Sequence, residues 1–162
     1  MLAGHIETNR TRGDWLRLWS ALSPGRVKAV ADGFAQRYRI EDLGASPSGL
    51  GLLPLRDSAL GESYFLGEIP LARAHVRIID DAGMVAEGAA VLLDDRASLT
   101  RAMAILDGVL AARLPGFEPI LELLEEGARA VDEIAAGRRA LLAATRVDFS
   151  LLGTADEDDE DA

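Results

Sequence analysis

GESYFLGEIPLARAHVRIID, residues 61–80, decides the fold. After Pro70 the stretch alternates: Ala72, Ala74, Val76 and Ile78 face one way, Arg73, His75 and Arg77 the other. A period of two marks a strand with one buried face. Asp81-Ala82-Gly83 turns the chain, and Met84 to Leu93, with Val85, Ala89, Val91 and Leu92, reads as the returning strand. Upstream, ASPSG and LRDSALG look like turns around a short apolar run, Leu50 to Leu55. Pro54 confines that run to an edge strand, because proline cannot donate to a ladder. The centre of the chain is therefore a small antiparallel sheet.

Helical patterns flank it. Asp14 is placed to cap a first short helix, with Trp15, Leu18, Trp19 and Leu22 on one face. Ser23 at N-cap and Pro24 at N1 restart a helix carrying Val27, Val30, Ala31, Phe34 and Tyr38. These two form an N-terminal helical hairpin, and the tryptophans read as core rather than as a ligand-stacking pair. After the sheet, Asp94 or Asp95 caps a helix to about Leu114, with the stripe Leu99, Ala102, Met103, Leu106, Val109, Leu110. Pro115-Gly116 ends it. A last helix runs from Glu118 or Pro119 to about Ala144, apolar along Leu121, Leu124, Ala128, Val131, Ile134, Ala135 and Leu142. Gly127 and Gly137 within it point to close packing, a bend, or a break near Gly127. Helices, sheet, then helices make an α+β domain. The organisation is a flexible N-terminus over 1–12, one domain over 13–152 and a disordered acidic tail over 153–162.

Composition narrows the function. The formal net charge of the 162 residues is -10, but Asp156, Glu157, Asp158, Asp159, Glu160 and Asp161 supply six of those negative charges. The body is thus near -4, and Lys28 is the only lysine. Phosphate backbones need clustered cations, so nucleic acid is not an expected partner. Cysteine is absent, which removes disulfides, thiolate metal sites and a Cys nucleophile and fits a reducing cytosol. No apolar run approaches the roughly 18 residues of a membrane span, and the N-terminus lacks a secretory signal pattern.

The catalytic inventory is thin. No G-x-S-x-G, Walker loop, G-x-G-x-x-G or H-E-x-x-H occurs. His5 sits near the N-terminus, and His75 has no acidic neighbour on its own strand, so it reads as a solvent-facing or interface histidine. Glu62 and Glu68 share one strand face if no bulge intervenes, and paired carboxylates can do acid/base work. They flank Tyr64 and Phe65, however, and such a strand more often makes an interface. Arg73, His75 and Arg77 form a row able to hold a phosphate; the plainer reading is a polar sheet face in water. No catalytic or metal-ligating residue is assigned.

Two stretches resemble one family. They are GESYFLGEIPLARAHVRI and, at the end of the last helix, GRRALLAATRVDF. The Gly-Glu-x-aromatic-Phe-x-Gly-acid strand, the spacing of Arg73 and Arg77, and the closing Arg146-Val147-Asp148-Phe149 are similar to the PhnG family of the bacterial carbon–phosphorus lyase core complex. The likeness spans about 12–152 and is densest at 61–79 and 137–149. His75, the Ser46-Pro47 loop and the acidic tail fall outside its pattern.

The resemblance implies a cytoplasmic subunit working with PhnI-, PhnH- and PhnJ-like proteins, the PhnI-like one as the direct partner. It implies a required, non-catalytic role in transferring a phosphonate to C1 of the ATP ribose with release of adenine. No cofactor is then bound by this chain. The complex uses ATP, and a PhnJ-like subunit uses an iron–sulfur cluster with S-adenosylmethionine. Glu62, Tyr64, Phe65, Glu68 and the Arg146–Phe149 run become expected interface residues. Phe149, Leu151 and Leu152 then dock beyond the last helix, preferably on a partner. Two other readings stand beside this one: direct contact of Arg73 and Arg77 with the triphosphate or phosphonate, assisted by Glu62 or Glu68, and an unrelated small adaptor. Isolated from its partner, a subunit with exposed apolar surface can self-associate into a homo-oligomer.

Overall fold

The computed structural model describes residues 10–44 and 48–145. His5, Ser46-Pro47, Arg146 to Phe149, Leu151, Leu152 and the acidic tail lie outside the described residues, as do the readings that rest on them. The elements run α1 (Arg12–Ser20), α2 (Pro24–Arg37), β1 (Arg39–Asp42), β2 (Ser48–Arg56), β3 (Ser63–Ile79), β4 (Val85–Leu92), α3 (Ala97–Ala111) and α4 (Glu118–Ala144). This is the expected α+β order.

The local chemistry explains most boundaries. Ser23 caps α2 by accepting from the Arg26 N–H at 3.4 Å, with Pro24 at N1. The start of α1 corrects the expectation for Asp14. Thr11 is the N-cap, and Asp14 is the third helical residue, accepting the Thr11 N–H at 3.1 Å and hydroxyl at 2.8 Å. That is the reciprocal logic of a capping box. The start of α3 also differs. Its N-cap is Arg96, while Asp94 turns the chain just before it by accepting the Arg96 N–H at 2.8 Å. The first two helices contact α3 and α4 more than each other: α2 lies on α3, and α1 on α4.

The core lies between these helices and one face of the sheet. Val76 and Ile78 from β3 and Ala86, Ala90 and Leu92 from β4 are buried together with α3. α3 is buried on nearly every side from Leu99 to Leu110, so even Thr100 and Asp107 are inside. It lies directly on the β4 backbone. A Cβ on Gly88 would sit 2.1 Å from the Ala104 carbonyl oxygen, so only glycine allows this approach. Trp19 is fully buried, with the half-buried Trp15 ring at 6.1 Å, which places the tryptophan pair in or against the core.

α4 is one unbroken helix of 27 residues. At Gly127 it crosses α1 so closely that a Cβ would stand 2.4 Å from the Leu18 carbonyl oxygen. Close packing, rather than a break, explains that glycine. Only the first half of the helix faces the core. Ile134, Leu141 and Leu142 are exposed, which corrects the expectation that Ile134 and Leu142 continue the buried stripe.

The sheet is organised around β3. β4 pairs with residues 72–79 on one side, while β2 and β1 lie in line on the other, pairing with 63–72 and 76–79. β3 has 17 residues, and among the described residues its first half has β2 as its only strand partner. β2 and the start of β3 therefore leave the body as a two-stranded arm, about 30 Å long at roughly 3.3 Å per residue. Pro54 indeed lies on an edge strand. Among the described residues no helix is long and apolar enough to cross a membrane.

Candidate functional site

The face of the sheet turned away from the helices carries the charged row. On it Arg73 lies opposite Val91, His75 opposite Ala89 and Arg77 opposite Glu87. Glu87 gathers the neighbours: Arg77 Nη2 donates to its Oε1 at 3.2 Å, and His75 Nε2 lies 3.0 Å from its Oε2. Glu41 approaches Arg77 from β1 at 4.0 Å. The Arg77 hydrogen bond first, and the His75 bond second, hold the Glu87 carboxyl below the usual carboxylate range. His75 thus has an acidic partner, reached across the hairpin rather than along its own strand. A cross-strand pair cannot be seen until the register is known.

Arg73 is different. It is exposed and makes no ion pair among the described residues. It lines a cleft of about 660 Å³ with Ala74, Ala89, Ala90 and Val91. Arg101 reaches the same cleft from α3, tied to Asp42 at 2.7 Å. A free guanidinium beside an apolar floor suits an anionic group on a larger body. No group of three or more His, Cys, Asp and Glu residues is placed to hold a metal among the described residues.

The remaining expected residues sit on the arm. Register puts Leu50, Leu52 and Pro54 with Pro70, Glu68 and Phe65 on one face; Leu53 and Leu55 lie with Tyr64, Ile69 and Leu71 on the other. Between Leu52↔Glu68 and Pro54↔Phe65 the partner strand spends one extra residue, and Gly67 there has φ +143°. This bulge reverses the alternation. Glu62 and Glu68 consequently fall on opposite sides of the ribbon, so the shared carboxylate face does not form. Tyr64, Phe65 and Leu66 are all exposed.

The chain matches the family model for "Phosphonate metabolism protein PhnG" over residues 10–153. The chain belongs to the PhnG family. Its members are described as phosphonate metabolism proteins, and the sequence resemblance pointed to the same family. No curated protein matches the chain significantly.

In this PhnG-family chain one polar cluster was not anticipated. Asp107, only 3% exposed, accepts two bonds from Arg12, at 2.8 Å from Nε and 2.6 Å from Nη2. It also accepts the Ala89 N–H at 3.0 Å, satisfying a donor on the free edge of β4. The Asp107 bond raises the Arg12 pKa. The cluster fastens α1 and β4 to the buried helix. A signal existed: an acid beside the apolar stripe of a helix needs a partner if it is buried. Nothing in the linear pattern named Arg12.

Proposed function

We propose that the chain is a required subunit of the carbon–phosphorus lyase core complex with no catalytic residue of its own. In this reading it supports the step that joins a phosphonate to C1 of the ATP ribose and releases adenine. It works in the bacterial cytoplasm with PhnI-, PhnH- and PhnJ-like subunits, the PhnI-like one being its direct neighbour. It binds no cofactor itself; ATP enters at the complex, and the iron–sulfur cluster with S-adenosylmethionine belongs to the PhnJ-like subunit. The observation that carries this reading is the family match across residues 10–153. Co-expression of the whole gene set, with a tag on the PhnI-like subunit, tests it. The expected result is recovery of this chain in the complex and loss of the ribose-phosphonate product when it is omitted. Normal assembly and normal product without it would refute the proposal.

A second reading has its own support. Arg73, unpaired at the edge of an apolar-floored cleft, is suited to contact the triphosphate or phosphonate directly. Arg77 is less available, being engaged by Glu87 and Glu41. With intact assembly, Arg73→Ala should raise the KM for the anionic substrate at least tenfold. An unchanged KM would leave the chain with a structural role alone.

A further inference from the structure

The arm is an unusual surface for a folded chain. Leu50, Leu52, Leu53, Leu55, Leu60, Tyr64, Phe65 and Leu66 are large, apolar and exposed, Phe65 at 64%. Aromatic side chains offer roughly 150–250 Å² each and leucines less, so at these exposures the exposed part is on the order of 800 Å². That is about one partner's share of a standard protein interface. Both faces of the ribbon are apolar, and among the described residues no helix covers either. A two-stranded hairpin alone in water is marginal at best.

These features select the occupant. A flat lid, or a second arm laid against the first, covers only one face or one edge. The exposed sheet face of a second copy sets Val85 and Val91 among Arg73, His75, Arg77, Glu41 and Glu87, a mixed and mostly charged surface with no walls to take both faces of an apolar ribbon. Carboxylates at Asp57, Glu62 and Glu68 make no ion pair among the described residues, whereas Arg56 is the arm's only cation. We propose that the β2–β3 arm inserts into an apolar cleft of a different, larger polypeptide, one that closes on both faces and carries cationic groups at its rim. This rests on the reading of the chain as a subunit of a complex and specifies how it docks. Phe65 with Leu52 fills one side of the cleft, and Tyr64 with Leu55 fills the other. Glu62 and Glu68, on opposite sides, meet cations on both lips. The bulge at Gly67 lets one ribbon serve two walls.

The experiment uses the full chain co-expressed with the other subunits. Phe65→Glu and, separately, Tyr64→Glu place a charge on one face each; hydrogen exchange is followed over 48–71 in the free chain and in the complex. Each substitution should lower incorporation at least tenfold while leaving the melting temperature of the isolated chain within 2–3 °C, since a surface change away from the core is nearly neutral. Amides of both strands should gain protection on assembly. If only one substitution impairs incorporation, the two-walled cleft is wrong. Normal incorporation of both, with the arm unprotected, overturns the docking mode but leaves complex membership intact. Failure of the unmodified chain to co-purify refutes the subunit reading instead. A tight dimer of the isolated chain, with its arm protected, shows the occupant to be a second copy and overturns the inference.

Discussion

Gly127 and Gly137 occupy the same helix ten residues apart, and the same substitution should act on them with opposite sign. Replacing glycine by alanine in a helix interior stabilises by about 1 kcal/mol, because the unfolded chain loses freedom. At Gly137 nothing lies within 4 Å of the new Cβ, so the full gain should appear. At Gly127 the Cβ would stand 2.4 Å from the Leu18 carbonyl oxygen and 2.8 Å from its carbon. Ordinary contact begins near 3.4 Å, so α1 and α4 must separate by close to an ångström. Both elements are backbone at this point and have no rotamer to yield. Overpacking of this kind costs typically 1–3 kcal/mol and sometimes more. Because α1 carries the buried Leu18 and Trp19, we expect the upper part of that range. The net for Gly127→Ala is then about 2 kcal/mol of destabilisation, and the two variants differ by about 3 kcal/mol. At 2–4 °C per kcal/mol, Gly137→Ala should melt about 3 °C above the parent and Gly127→Ala about 4–8 °C below it. Thermal and urea unfolding of the isolated chain measure this. Equal shifts at both sites would refute the close crossing of α1 and α4.

Asp107→Ala should cost about 2–4 kcal/mol, since it orphans the Ala89 N–H and frees Arg12. The Arg12 side chain is 57% exposed, so water recovers part of its loss, which keeps the value below that of a fully buried pair. Asp107→Asn should cost less, and urea midpoints will rank them. Glu87 is held in its charged form by Arg77 and His75, so its contribution is full above its unfolded pKa and lost as pH falls through the lower folded value. Glu87→Gln should therefore flatten the fall in melting temperature on acidification below about pH 5, a small effect at an exposed site. An acid limb as steep as the parent's would show that Glu87 takes no part.

The strand 72–79 and its return were legible because one buried face imposes strict alternation on Ala72, Val76 and Ile78. The helices were legible because Ser23-Pro24 and Pro115-Gly116 punctuate the chain. What stayed hidden depends on pairs distant in sequence. The Glu87 bridge needs the hairpin register, and Asp107 needs Arg12, 95 residues away. The arm was partly legible: Pro54 marks an edge strand, and the run around Tyr64 and Phe65 reads as an interface. That both of its faces stay bare shows only in three dimensions, where no described layer lies over them. One extra residue at Gly67 is enough to put Glu62 and Glu68 on opposite faces, and nothing in the linear pattern fixes a bulge there.

Because the arm is continuous with β3, the chain cannot hide it by refolding without breaking the sheet that organises the body. A copy made in excess of its partners therefore keeps its leucines and an open strand edge on display. Those are features on which chaperones and proteases act, and edges that pair with other unassembled chains. If the arm docks as proposed, the lifetime of the chain is tied to the supply of its partner, and balanced stoichiometry follows from the shape of the protein as well as from its synthesis.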